Sequence, residues 1–312
     1  MTFDTLNMLG KQREPFLFVT DFKAKKLEVF PLKELHKHDI EFSIDEHYNY
    51  EEHNHSLIKT PPDFQNYKKK FDAIIEKIKS GDTYLTNLTQ STKIQTQLTL
   101  KEIYSLANAH YKLRFKDEFV CFSPEKFVQI DKERIHTYPM KGTIDASVLN
   151  AREKILADAK EMAEHVMVVD LLRNDLSIVA EDVCVESFRY ITEIEAGEKK
   201  LLQVSSHISG FVGENWHERI GDILFSLLPA GSISGTPKKS TLEIIEEVEG
   251  YKRGFYSGVF GIYDGKTFDS GVMIRFIEKT QDGYLYKSGG GITFESDVLL
   301  EYNELIDKVY LP

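Results

Sequence analysis

Between residues 118 and 137 three short apolar segments, 118–122, 126–130 and 134–137, follow one another with only three residues between them. A parallel pairing needs a crossover of a dozen or more residues, so neighbours this close pair antiparallel. The same pattern recurs along the chain. Residues 15–30 alternate apolar and polar around Asp21-Phe22-Lys23 as a hairpin, and Thr83 to Ile94 reads as a strand. Segments 183–191 and 201–212 flank a Gly-containing turn, and 254–264, 267–278 and 284–288 read as a further set of paired strands. Helical periodicity is kept apart from these strands. It is clearest over Phe64 to Lys79, where Phe71, Ile74, Ile75 and Ile78 share a face and Gly81 is the stop signal. Further helices are expected at 99–112, 151–172, 216–228, 238–250 and 297–309. Hairpin-connected strands with segregated helices predict an α+β fold with antiparallel sheets, not a βαβ array.

No repeat or linker interrupts the 312 residues, so one domain over 1–312 is expected, with a short N-terminal region at 1–62 and a core at 63–312. A net charge of −11 argues against a nucleic-acid binder and requires local cations for any acidic substrate. Cys121 and Cys184 are the sole cysteines, which excludes a disulfide framework or a zinc cluster. The N-terminus has no basic and apolar leader pattern and no apolar run reaches membrane-span length, so the expected compartment is the cytoplasm. Asn87-Leu88-Thr89 then matches a glycosylation acceptor by chance. His36, His38, His47, His53 and His55 lie in a polar stretch; their irregular spacing fits a solvated loop better than a metal site.

Several residues have chemistry to offer. Lys141 stands in Pro139-Met140-Lys141-Gly142-Thr143, beside a Gly-Thr turn. An ordinary lysine is neutral in only about one molecule in two thousand at pH 7, so nucleophilic use demands burial or a neighbouring cation. Glu161 and Glu164, and likewise Glu301 and Glu304, are three apart on helical segments, which places each pair on one face. Two such pairs suit a hard cation such as Mg²⁺, while solvent-facing glutamates are the alternative for either pair alone. Gly289-Gly290-Gly291 follows a strand and the Gly231 to Lys238 segment follows a helix; both could present backbone N–H groups to an anion or be plain turns. Thr236 stands where a P-loop requires glycine, so a nucleotide loop is rejected. Arg275 lies in the apolar segment Gly271-Val272-Met273-Ile274-Arg275-Phe276, where an inward-facing arginine needs an anionic partner.

Taken in order, Gly81-Asp82-Thr83-Tyr84, Ser123-Pro124-Glu125, Pro139-Met140-Lys141-Gly142-Thr143, Glu164-His165 through Asp170-Leu171-Leu172-Arg173-Asn174-Asp175, Ser234-Gly235-Thr236-Pro237-Lys238, Arg253-Gly254-Phe255-Tyr256-Ser257-Gly258 and Gly289-Gly290-Gly291-Ile292 form a colinear set. Over roughly residues 80 to 312 this set resembles the chorismate-utilising enzymes. The resemblance implies two packed, mainly antiparallel sheets flanked by helices, and Mg²⁺ dependence. Position 141 separates the branches: anthranilate synthases typically carry alanine there, and aminodeoxychorismate synthases carry lysine. The lysine branch aminates chorismate at C4 through a covalent lysine intermediate, giving 4-amino-4-deoxychorismate, the precursor of 4-aminobenzoate and folate.

By that resemblance Lys141 is the nucleophile and Glu125 the acid/base. Glu164 and Glu301 hold Mg²⁺, with Glu161 and Glu304 joining directly or through water. Arg275, Tyr256, Thr236 and the Gly289, Gly290 and Gly291 amides grip a substrate carboxylate, and Thr143 sits near the ring. Leu85 stands where the isochorismate and salicylate branches use a lysine base. The chain departs from the usual pattern at Gln203 (commonly histidine), at Leu85 (commonly glutamine) and at Phe276 (commonly threonine). The short N-terminal region implies a reduced sheet there and a reduced or absent tryptophan pocket. No glutaminase or lyase segment is recognised, so ammonia is expected from a separate glutamine amidotransferase subunit or from free ammonium. Anthranilate synthesis and non-catalytic chorismate binding are the alternatives.

Overall fold

The computed structural model describes residues 1–45, 55–196 and 199–312. Contacts divide the chain into two compact units, each discontinuous in sequence. The first comprises Met1–Leu17, Lys126–Leu228 and Gly261–Ser270, and the second Phe18–Glu125, Pro229–Phe260 and Gly271–Pro312. Each unit is assembled from three separate stretches, so the sequence has no linker at which to show the division. Among the described residues no helix is long and apolar enough to cross a membrane.

In the first unit the strands Met140–Asp145, Lys199–Phe211, Arg134–Thr137 and Lys126–Asp131 lie side by side in that order, with Glu181–Ala196 also paired to Lys199–Phe211. The pairings among them are antiparallel, as the short connections require. The expected 151–172 helix is two helices, Ala151–Ala157 and Ala159–Leu176. Asp158 makes the break, because its carboxylate accepts from the Glu161 N–H at 2.9 Å and caps the second helix at its N-terminus. Arg189 spans that break: its guanidinium donates to the carbonyls of Ile155 and Leu156 at 2.9 and 2.8 Å. The unit also begins with a helix, Phe3–Lys11, which the sequence did not announce. Asn7 of that helix accepts from the Gly221 N–H at 2.7 Å, tying it to the Ile220–Leu227 helix.

The second unit holds an eight-stranded sheet in the order Gly235–Thr236, Leu85–Gln95, Gly283–Ile292, Phe276–Thr280, Phe119–Ser123, Tyr111–Phe115 and Ile40–Ile44, with Ile58–Thr60 paired to the long Leu85–Gln95 strand. Its pairs are antiparallel. The Phe64–Lys79 helix forms where its periodicity places it: Asp63 caps it, accepting from Asn66 N–H at 2.8 Å, and Phe71, Ile74 and Ile78 are buried. These side chains join Leu88 and Ile292 of the sheet, Ile244 of helix Lys238–Glu249 and Leu305 of helix Val298–Asp307 in one apolar cluster. Thr99 and Glu102 form the reciprocal capping pair that starts the Leu100–Leu106 helix.

Under this sheet lies a buried charge network. Arg253 and Glu249 are each 2% exposed at the side chain, and the guanidinium donates to both carboxylate oxygens, at 2.9 and 2.6 Å. Glu249 also accepts from the Thr89 N–H and hydroxyl at 2.9 and 2.7 Å, while Arg253 donates to the carbonyls of Ile233 and Asn87. Paired this fully, the two charges are compatible with burial; singly they are not. Arg253→Ala is expected to cost about 3–5 kcal/mol of stability in urea titrations, and Arg253→Met combined with Glu249→Leu to recover most of that loss. A small effect of the single substitution would contradict the network's assigned weight.

Candidate active site

The residues singled out from sequence fall into two groups, one in each unit. In the first unit Lys141 is not in a turn. It lies in the strand Met140–Asp145, where the register against Lys199–Phe211 slips between Met140, opposite Ser205, and Thr143, opposite Gln203. Lys141 and Gly142 thus stand together against Val204, one residue more than the partner strand has, as in a β-bulge, a device that re-aims a side chain out of the regular pleat. Gly142 has φ of 89°, which only glycine adopts without strain.

The Lys141 ammonium reaches the Glu164 carboxylate at 2.7 Å, with Lys160 at 3.9 Å from the same group. Glu161, one turn earlier on the helix, lies over Gly142, where an added Cβ would stand 3.0 Å from Glu161 Oε2. That Oε2 is buried without a hydrogen-bond partner. Burial raises the Glu161 carboxyl above its usual range; the Lys141 charge opposes this and the Glu164 charge adds to it. Below this face His165 is fully buried, with Nε2 2.7 Å from the Ser206 hydroxyl, and the same hydroxyl accepts the Arg189 N–H at 2.9 Å. Burial holds the His165 imidazole below its ordinary value; the Arg189 charge acts the same way and the Lys141 main chain opposes. Lys141, Glu161 and Glu164 are therefore brought together, and Thr143 is exposed in the same strand opposite Gln203.

The second unit groups Glu125, Arg275, Glu301, Glu304 and the three glycines. Glu125 accepts a hydrogen bond from the Ser232 hydroxyl. Burial pushes its carboxyl above the usual range, against the Ser232 bond and the charges of Arg275 and Lys308. Arg275 corrects the sequence expectation. It is not in mid-strand but at the bend between Phe268–Val272 and Phe276–Thr280, with φ of 51°. The expected 267–278 strand breaks there because the Ile274 N–H turns back to the Val272 carbonyl at 3.0 Å. Arg275 Nε donates to the Tyr310 hydroxyl at 3.3 Å, and its guanidinium lies 5.6 Å from that ring's centre.

The glycine run is a second correction. Gly289, Gly290 and Gly291 do not follow a strand; they are inside Gly283–Ile292, opposite Thr89, Leu88 and Asn87. The partner strand supplies the ladder that glycine's weak strand preference would not. Alternation along the strand gives each glycine a different neighbourhood. A Cβ on Gly289 would meet Thr89 Cγ2 at 2.6 Å and the Leu88 carbonyl oxygen at 2.7 Å; one on Gly290 would meet Glu301 Oε2 at 3.2 Å and Lys308 Nζ at 3.8 Å. Lys308, which sequence reasoning passed over, donates to the Gly289 carbonyl at 2.8 Å and pairs with Glu304 at 2.7 Å. Its spacing of four from Glu304 was the available signal. Glu301 accepts from the Ser296 hydroxyl at 2.7 Å.

Tyr256 is buried, its phenol pushed up to about 12 chiefly by burial, and the Thr236 carbonyl accepts from the Tyr84 N–H at 2.8 Å. Among the described residues no three histidine, cysteine or acidic side chains form a ready metal cage, and His47 and His53 lie outside those residues. The donor chemistry still fits an oxygen-liganded cation: each helix offers two carboxylates at a spacing of three, and Glu161 Oε2 is a buried acceptor with nothing to accept.

The family profile for chorismate binding enzymes matches residues 13–311. The chain belongs to that family. A PabA-like protein from Haemophilus influenzae, called uncharacterized, is 47% identical over 310 residues, covering 98% of this chain and 94% of that one. Aminodeoxychorismate synthase component 1 of Bacillus subtilis is 32% identical over 259 residues, 77% of this chain and 54% of the enzyme. In structure, anthranilate synthase component I from Streptococcus pneumoniae superposes with a TM-score of 0.69 at 24% identity, over 83% of this chain and 60% of that one. The antiparallel sheets with their helices are thus the fold of the chorismate-utilising enzymes.

Gly289→Ala is expected to lose about 1–3 kcal/mol in urea titrations, because the new methyl meets backbone and a β-branched side chain. Gly290→Ala should lose clearly less, since only flexible side-chain ends must shift. Equal losses would contradict the strand register.

Proposed function

We propose that this chorismate-binding enzyme is an aminodeoxychorismate synthase component I, which aminates chorismate at C4 to give 4-amino-4-deoxychorismate. The observation that carries the reading is Lys141, an amine re-aimed by a bulge and held 2.7 Å from Glu164. Anthranilate synthesis, the second reading, has no use for a nucleophile at this position.

In the proposed reaction the neutral Lys141 amine attacks C2 of chorismate, both ring double bonds shift round the ring away from C2, and the C4 hydroxyl departs. Glu125, whose carboxyl burial raises above its usual range, gives its proton to the leaving oxygen, which departs as water. Ammonia then attacks C4, both double bonds shift back and the Lys141 nitrogen is expelled from C2. Glu125 recovers a proton from the incoming nitrogen. The enolpyruvyl group is untouched throughout. Arg275, with Tyr256, Thr236 and the Gly289–Gly291 backbone, binds one substrate carboxylate, and Thr143 lies near the ring.

By the family resemblance, the oxygen donors proposed for Mg²⁺ are Glu161, Glu164, Glu301 and Glu304. Held by these residues, a cation would neutralise a substrate carboxylate against the chain's net charge of −11 and would engage the Glu164 carboxylate that otherwise pairs with Lys141. Ammonia is proposed to come from a separate glutamine amidotransferase.

The purified chain with chorismate, Mg²⁺ and ammonium, coupled to an aminodeoxychorismate lyase, is expected to yield 4-aminobenzoate and no anthranilate. Intact mass should show a chorismate-derived adduct in the wild type that Lys141→Ala lacks. Glu125→Gln should slow turnover by about 10²–10⁴. The wild type should lose activity as pH rises through the Glu125 titration, because the acid form is the one required. Anthranilate as the product, or no aminated product from folded protein, would overturn the assignment.

A further inference from the structure

The turn ahead of Gly235 supplies a residue that the amination scheme leaves unused. Ser232 lies in the short 3₁₀ turn Gly231–Ile233 and donates its hydroxyl proton to Glu125 Oε1. Contacts on both sides fix this turn. The Ser234 hydroxyl donates to the carbonyls of Ala230 and Gly231 at 2.8 and 3.3 Å, and the Asn87 N–H donates to the Ser234 carbonyl at 2.9 Å. Arg253, locked by Glu249, donates to the Ile233 carbonyl at 2.8 Å. Glu125 is anchored as firmly: its N–H donates to the Ser123 hydroxyl at 3.1 Å, and its carbonyl accepts from the Val272 N–H at 3.0 Å. Neither main chain can drift, so the hydrogen bond is built by the fold and does not depend on a mobile side chain finding its partner.

Resting on the acid/base reading of Glu125, we propose that Ser232 is its positioning residue. The hydroxyl occupies Oε1, leaves Oε2 as the oxygen that exchanges a proton with substrate, and favours the carboxylate once that proton has gone. A donor aimed at a carboxylate stabilises the ionised form and costs little reorganisation when the proton moves. The cations facing Glu125, Arg275 and Lys308, act in the same direction, and burial opposes all three.

The test reads Glu125 directly. Infrared titration of the chain without chorismate, with the Glu125→Gln spectrum subtracted, gives the midpoint of that one carboxyl. Ser232→Ala is expected to raise the midpoint by about one pH unit, the weight of one hydrogen bond to a charged group. Ser232→Thr, which keeps the donor, should restore the wild-type value. An unchanged midpoint in Ser232→Ala overturns the proposal. Should circular dichroism show Ser232→Ala unfolded, Ser232→Cys, a weaker donor, takes its place with a smaller rise expected and an unchanged midpoint again decisive. Turnover is not measured, so failure to aminate chorismate counts against the proposed reaction alone.

Discussion

The Arg253–Glu249 pair is the constraint on which the second unit's chemistry rests. Its two charges are buried on the strength of their mutual contact, and they bond further to the N–H and hydroxyl of Thr89 and to main-chain carbonyls of other segments. Those segments carry the proposed site: the Leu85–Gln95 strand pairs with the glycine run, and the turn bonded through Ile233 carries Ser232 toward Glu125. A salt bridge of this kind adds less to net stability than to uniqueness, because any shift of one segment strands a charge.

The first unit holds its residues by other devices. Lys141 is aimed by a bulge, and Glu161 and Glu164 by a helix whose start Asp158 defines. Arg189, itself at φ of 50°, binds the end of the preceding helix through its side chain and Ser206 through its main chain, and Ser206 meets His165 next to Glu164. Strain at Arg189 and burial of His165 are sustained by this chain of partners.

What could be read from sequence was whatever depends on local period. The Phe64–Lys79 helix was legible because Phe71, Ile74 and Ile78 share one face, and the antiparallel pairing because the connections are short. What depends on a distant partner was not. The bulge at Lys141 exists only relative to Ser205 and Gln203, and the glycine strand only relative to 87–89. Asp158 breaks a helix through one hydrogen bond, in a stretch whose apolar spacing runs on unbroken. Of the site, the residue types announced themselves at Lys141 and the two glutamate pairs, and Glu125 entered only through the family resemblance. Ser232 and Lys308 did not, since a serine in a Gly/Ser turn and a lysine four residues after a glutamate are ordinary until their partners are seen.

Each glutamate pair keeps a lysine at its side: Lys141 at Glu164 and Lys308 at Glu304. Each lysine offsets part of its pair's negative charge, and the Lys141 charge opposes the repulsion that Glu164 exerts on Glu161. Metal uptake there, as proposed, would be an exchange of one cation for another. Its affinity would measure the difference between two attractions, and an entering ion would set an ammonium free.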